Sequence, residues 1–239
     1  YYLDASAGPL LAGKVRIEDA VITIPQGGGN GSGGKAPPIR FDLDADINRN
    51  VYAVMGDVAT LNLSNILMNL EVTGQGFKIA GNLASPSLVG KILVKRGTVN
   101  IFNREFTLLN AEQQKKCYPY DSEKVQDNTA VFTGDQGPAG VMPKINVTAQ
   151  IDVENQEKDA AGESVKKKVA ILARLKGMLG AADQERGLKI FLNGFTEDKA
   201  KSPPEMLPAA YSEQDLKVML LPDFIRSLAG LNQPGEKAA

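Results

Sequence analysis

The sequence predicts an all-β protein: an elongated, mostly antiparallel sheet folded over on itself, as a groove or a jelly-roll-like shell, with a short helical segment near the C-terminus. Three observations predict it. Apolar and polar residues alternate with a period of two along many segments. Strands and helices do not alternate along the chain in the way an α/β fold requires. Convincing helical spacing of apolar residues is confined to the region after residue 211.

The first strand-like stretch runs from Val15 to Ile24, and Gly27 to Gly34 then forms a flexible glycine tract within a loop spanning 26–36. That tract lacks the Lys-Ser or Lys-Thr and the helix that a phosphate-binding loop needs. Ile39, Phe41, Leu43, Ala45 and Ile47 alternate with Arg40, Asp42, Asp44 and Asp46. Shorter candidates follow at Val51 to Leu63, Phe77 to Leu83, Leu88 to Val94 and Val99 to Leu108. A polar insertion at 113–128 reads as mobile. Beyond it lie Ala130 to Thr133, the alternating Ile145, Val147, Ala149, Ile151 and Val153, and then Val169, Ile171, Ala173 and Leu175. Flanking Lys and Arg leave a helical alternative open for this last group. A second insertion, roughly Met178 to Arg186, precedes Leu188 to Phe195. Gly, Pro, Asn or Asp bounds each candidate.

The C-terminal part changes period. Ser212 and Asp215 resemble a capping box with Asp in place of Glu, and Leu216, Met219 and Leu220 follow at helical spacing. Pro222 suits the first turn of a second helix, whose stripe is Phe224, Ile225 and Leu228. The expected organisation is a β-groove domain over 1–210, an amphipathic helical segment over 211–231, and a tail over 232–239.

Composition excludes several function classes. The 239 residues are 43% hydrophobic and 23% charged, ordinary for a folded chain, and the net charge of −1 carries no footprint for nucleic acid. Lys166, Lys167 and Lys168 read as a solvated edge or loop. Histidine is absent and Cys117 is the only cysteine, which removes the usual triads and nearly every zinc site. No cofactor, metal or catalytic residue is expected. Asp42, Asp44 and Asp46 read as solvated carboxylates, Cys117 as a functionless reactive loop thiol, and carboxylate pairs lack an aromatic platform, since Trp is absent. No stretch approaches the roughly 20 apolar residues of a transmembrane helix. The opening Tyr1-Tyr2-Leu3-Asp4 lacks signal-peptide character, so the expectation is either a cytoplasmic chain or a fragment whose address lies upstream.

The chain also echoes itself. Residues 9–24 align without gaps on 86–101, with identities at Pro9/Pro86, Leu11/Leu88, Gly13/Gly90, Lys14/Lys91 and Ile24/Ile101. About one identity is expected from average composition. Repeated strand units of this kind build sheets that extend by adding like elements.

The segment Ser85-Pro86-Ser87-Leu88-Val89-Gly90-Lys91-Ile92-Leu93-Val94-Lys95-Arg96-Gly97-Thr98-Val99-Asn100-Ile101-Phe102, followed by Phe106-Thr107-Leu108, resembles a hallmark of the TamB family (translocation and assembly module, AsmA-like). Phe41-Asp42-Leu43-Asp44-Ala45-Asp46 is similar to its Asp-rich segment. Pro143-Lys144-Ile145-Asn146-Val147-Thr148-Ala149 is similar to a later strand, and Ser202-Pro203-Pro204 with Tyr211 to Leu221 to its terminus. The two insertions depart from the pattern. The resemblance implies the C-terminal part of a periplasmic protein that bridges inner and outer membranes, its inner-membrane anchor lying upstream. It implies a β-taco groove, phospholipid transport between membranes or outer-membrane protein assembly, and a BamA-type outer-membrane barrel protein as partner. A diderm bacterium is the expected setting and a plastid envelope the alternative.

Pattern alone favours closure of the apolar faces as a β-sandwich core, whereas the resemblance favours a groove that takes phospholipid acyl chains. On the groove reading the lining residues are Phe41, Leu43, Ile47, Ile92, Val94, Ile145, Val147, Ile171 and Leu175. The C-terminal stripe Leu216, Leu220, Phe224, Ile225 and Leu228 either caps an open end of the sheet or docks a partner. The alternative function is a structural β-domain of an envelope assembly that binds only protein.

Overall fold

A computed structural model describes residues 8–24, 39–60, 63–82, 85–118, 121–134, 136–137, 140–141, 143–158, 162–179, 185–198 and 205–221. Most of the described chain is β. In order, the strands are β1 (Leu10–Ile17), β2 (Ala20–Ile24), β3 (Arg40–Thr60), β4 (Leu63–Asn82), β5 (Ser85–Ile101), β6 (Arg104–Leu108), β7 (Thr129–Thr133), β8 (Gln136–Gly137), β9 (Gly140–Val141), β10 (Lys144–Lys158), β11 (Ser164–Met178), β12 (Lys189–Asp198) and β13 (Glu205–Pro208). Two helices, α1 (Ala111–Cys117) and α2 (Glu213–Leu220), and a 3₁₀ turn at Ser122–Lys124 complete the list.

Eleven strands form one sheet in the order β1-β3-β4-β5-β6-β10-β11-β12-β13, with β2 beside β3 and β7 between β5 and β10; β8 and β9 make a separate hairpin. Pairing is antiparallel except for β1 and β2, which run parallel to β3. The segments that read as short strands fuse into long ones. At roughly 3.3 Å per residue the 21 residues of β3 trace about 70 Å. Bulges explain the fusion. Between Ile47 and Val51 the register of β3 against β4 shifts, with Asn50 at φ 53°, so the polar Asn48-Arg49-Asn50 is absorbed without ending the strand. The break between β1 and β2 at Asp19 (φ 52°) sits beside it, joined by a hydrogen bond from Asn50 Nδ2 to Asp19 Oδ1 (2.7 Å).

Residues 9–24 and 86–101, the two halves of the internal echo, occupy matching places. β1 runs parallel to β3, β3 antiparallel to β4, and β4 antiparallel to β5, so β1 and β5 point the same way on either flank of the β3–β4 hairpin.

The register puts the apolar alternation on one face. Val15 lies beside Ala45 and Ala45 beside Phe77, while Ile92, Ala130 and Ile145 form a second row, and Leu108, Ala149, Ala173 and Leu192 a third. Residues of this face from β3 to β12 make one continuous buried cluster. Ala45, Val99, Phe106, Val169, Ile171 and Leu175 are wholly buried within it. Neighbours in the plane of a flat sheet cannot hide these side chains, so the sheet curls until its inner face meets itself, as the folded-over reading requires.

The insertion at 113–128 is not the mobile excursion its polarity suggests. β6 and β7 lie end to end between β5 and β10, both antiparallel to β5, so the chain leaves this strand line after Leu108 and rejoins it at Thr129. Asn128 fills the neck: its Nδ2 donates to the Leu109 carbonyl (2.8 Å), its Oδ1 accepts from Thr148 N (2.8 Å), and its carbonyl accepts from Val94 N (2.9 Å). The fully buried Gln114 donates to the carbonyls of Leu109 (3.1 Å) and Gln126 (3.0 Å) and accepts from Gln126 N (3.1 Å). Helix α1 starts at a capping box of Asn110 and Gln113. It is packed on the outer face of the sheet, where Leu109 and Cys117 form a second small core with Ala170, Leu172 and Phe195. The polar residues of the insertion thus satisfy its own neck, and its few apolar ones cover the strand that is apolar on both faces.

Cys117 is therefore no reactive loop thiol. It is 5% exposed, and burial, with the nearby Asp152 carboxylate, pushes its pKa up to about 11 against the opposing pull of Lys116. Lys166, Lys167 and Lys168 lie on strand β11 instead of a loop, beside Glu154 (3.3 Å), Glu157 (3.6 Å) and Asp152 (2.7 Å).

Two outcomes follow for the insertion. Asn128→Ala strands buried backbone groups and lowers stability in urea by about 1–3 kcal/mol, whereas Asp127→Ala, at an exposed neighbour, shifts it by no more than ~0.5 kcal/mol. A thiol reagent at pH 8 labels Cys117 slowly in the folded chain and rapidly in urea. Because the folded state favours the neutral thiol, that contribution is complete below an ordinary thiol pKa of ~8.5. It is lost as pH rises toward about 11.

Candidate functional site: the inner face of the sheet

The inner face has two regimes. Near the start of β3, the end of β4 and the start of β5, Phe41, Leu43, Ile79 and Leu88 are half-buried, with Leu43, Ile79 and Leu88 side by side in register. Further along β3, Ala45, Ile47 and Val51 are buried. From this rim the apolar surface deepens continuously toward β10 and β11. Of the residues expected to line a groove, Ile47, Ile92, Val94, Ile145, Val147, Ile171 and Leu175 come together in the one buried cluster. Phe41 and Leu43 lie at its margin. Ile79 and Leu88 belong to the same rim; their place beside Leu43 depends on strand register, which no local pattern encodes.

Phe77 closes the bottom of the rim. Its ring lies over Gly90, whose backbone (φ 145°) leaves room that a Cβ would fill at 2.8 Å from the ring. Phe132, opposite Gly90 on β7, meets Phe77 edge to face with centroids 5.1 Å apart.

The far end of the inner face is covered by α2. The Ser212–Asp215 capping box forms as the sequence predicts, and the helix ends at Leu220, ahead of Pro222. Leu216, Met219 and Leu220 are buried in the same cluster as the sheet. Gly194 on β12 makes room for them: a Cβ there would stand 2.9 Å from Leu216 Cδ2. Arg104, the first residue of β6, donates to the carbonyls of Leu220 (3.1 Å) and Leu221 (3.3 Å) and so closes the C-terminal end of the helix. At its other end the Tyr211 hydroxyl bonds the Glu157 carboxylate. Burial first, and that bond second, push Tyr211 up to about 12. Leu216 and Leu220 are thus buried against the sheet; Phe224, Ile225 and Leu228 lie outside the described residues.

Asp42, Asp44 and Asp46 are exposed on the outer face, with Lys14, Arg16 and Lys78 across the strands. Among the described residues no group of three His, Cys, Asp or Glu side chains is placed to hold a metal. The nearly buried Glu71 is paired with Arg96. A cavity of about 350 Å³ lies at the β12–β13 edge between Tyr118 and Tyr211, apart from the rim. Among the described residues no helix is long and apolar enough to cross a membrane.

Residues 4–112 match the model of the family described as TamB C-terminal domain. The match covers β1 to β6 with the rim, and ends as α1 begins. The similarities read at Pro143–Ala149 and Ser202–Leu221 lie beyond it. No curated protein matches the chain. The family comprises transport and assembly modules of the cell envelope. Over residues 4–112, then, the chain is similar to the TamB family.

Proposed function

We propose that the chain is the C-terminal module of a periplasmic, membrane-bridging TamB-like protein whose inner face carries phospholipid acyl chains between the inner and outer membranes or toward an outer-membrane assembly partner of the BamA barrel type. The observation that carries this reading is the graded apolar face, from the half-buried Phe41, Leu43, Ile79 and Leu88 to the buried Ile47, Ile92 and Ile145. An acyl chain laid along such a face gains about 0.8 kcal/mol per methylene removed from water. Many equivalent contacts and no fixed polar anchor allow it to slide. In this proposal residues 1–210 form the groove unit, the lining residues are those named from the sequence, and the segment 211–231 covers its far end.

The closely packed region at β10, β11 and α2 favours a second reading, in which the face is a closed core and the module binds only protein. Under the lipid reading the chain is accommodated at the rim first, and entry past Ile47 requires the sheet to open.

Native mass spectrometry with lipid extraction, on protein purified from membranes in mild detergent, separates the two. The parent is expected to retain phospholipid, and Phe41→Asp combined with Leu43→Asp, at half-buried positions that spare the core, to lose most of it while keeping its β-sheet circular dichroism. Absence of lipid from the parent, or equal retention by the folded double variant, sinks the lipid reading.

A further inference from the structure

Strands β10 and β11 treat their lysines in two ways. Toward one end every lysine of β11 meets a carboxylate of β10: Lys168 meets Asp152 (2.7 Å), Lys166 meets Glu154 (3.3 Å) and Lys167 meets Glu157 (3.6 Å). Toward the other end the pairing stops. Lys176 stands beside Asn146 of β10 and, on its other side, directly opposite Lys189 of β12. Lys144 lies between Met178 and Val131, and Lys91 of β5 is next in that row. All four point outward, since their neighbours Ile92, Ile145, Leu175 and Ile190 belong to the inner face. They are exposed, and among the described residues none has an ion pair or hydrogen bond.

Arg174 adds a fifth cation to this face, two residues before Lys176. Its hydrogen bonds go to Asn146 (3.2 Å) and Gln126, which carry no charge. Of the carboxylates nearest in sequence, Asp127 stands alone and Glu185 is followed by Arg186, so a positive excess remains. Like charges directly opposite on neighbouring strands destabilise a sheet, yet Lys176 and Lys189 are so placed on a chain whose net charge is only −1. The stretches outside the described residues offer little counter-charge. None is more negative than −1: Asp4, Asp135, Asp159 and Asp183 each stand alone in theirs, and Asp223 and Glu236 are balanced by Arg226 and Lys237.

Phe191 lies in the same patch. It is 46% exposed, opposite Arg174 and two residues from Lys189 on the outer face of β12. An exposed ring framed by unpaired cations suits the headgroup layer of a membrane, where lysines meet the phosphates and the ring sits among the glycerol groups. An acidic polypeptide would use the cations and leave the ring without a role. We propose that this outer-face patch docks the chain on an anionic phospholipid surface, with phosphates against Lys91, Lys144, Lys176 and Lys189 and with Phe191 in the headgroup layer. From β5 to β12 the lysines span about 20 Å across the strands, enough to meet several headgroups at once. The contact stays at the headgroups, on the face opposite the apolar rim, and does not rest on that rim carrying acyl chains.

The test is co-sedimentation of the whole chain with vesicles of phosphatidylcholine alone and of phosphatidylcholine with an equal part of phosphatidylglycerol. Binding is expected to the second only, and to fall as salt is raised. At about fivefold per lysine near an anionic surface, Lys176→Gln combined with Lys189→Gln weakens it about 25-fold. Relieving the opposed pair leaves the fold intact, so this variant keeps the urea midpoint of the parent. Lys166→Gln combined with Lys168→Gln removes the same charge from paired lysines and is expected to weaken binding far less. Phe191→Ser weakens it at unchanged charge. Failure to bind the anionic vesicles, equal binding to both kinds, or equal loss in the two lysine pairs overturns the proposal. Tighter binding of a polyglutamate peptide than of the anionic vesicles also overturns it and reassigns the patch to an acidic polypeptide.

Discussion

A long sheet that is apolar on one face has to keep that face from water without a second sheet to lay over it. Every strand of the curled sheet from β3 across to β12 contributes to the face, and its central residues are wholly buried. Curling the sheet onto itself meets the demand, and most other features follow from it. Bulges at Asn48–Asn50 let β3 bend while its pairing with β4 continues. Glycines sit where backbone or helix must come near: Gly90 under Phe77, Gly97 against Asn69, Gly194 under Leu216. Helix α2 covers the end that the curl leaves open and is tied down at both of its own ends, by Arg104 and by Tyr211.

The same demand explains the insertion. β11 is apolar on both faces: Val169, Ile171, Ala173 and Leu175 point inward and Ala170 and Leu172 outward. Its outward side chains need a cover that the curl cannot give, and α1 with Leu109 and Cys117 supplies it. Because α1 departs from within a strand line, the line has to be resealed, which falls to the buried amides of Gln114 and Asn128. The family match stops as this helix begins, so the cover belongs to the part of the chain where the kinship is no longer legible.

The inner strands were legible because alternation survives in a strand that is wet on one side. Phe41 to Ile47 and Ile145 to Val153 read directly from the sequence and lie where their period puts them. Strand length was not legible, since Asn48-Arg49-Asn50 reads as a terminator and acts as a bulge. Helix α1 escaped because seven residues carry too few turns to display a period. Its Asn110–Gln113 box was the one local signal available. The burial of Gln114 and Asn128 depends on partners from remote strands and could not be read from composition. The residues proposed to line the site were readable as sharing one face, while the division into a rim and a closed interior required the register and the curl.

The central claim is that an acyl chain lies on the inner face at the rim. A phospholipid with a photoactivatable acyl chain, incubated with the protein and mapped by peptide mass spectrometry, tests it directly. The outer face carries its own exposed apolar side chains, Leu67, Val89 and Leu93, which serve as an internal control. The account predicts adducts at Phe41, Leu43, Ile79 and Leu88, with the outer-face residues nearly free of label. Labelling spread evenly over both faces, or concentrated at Val89 and Leu93, contradicts it.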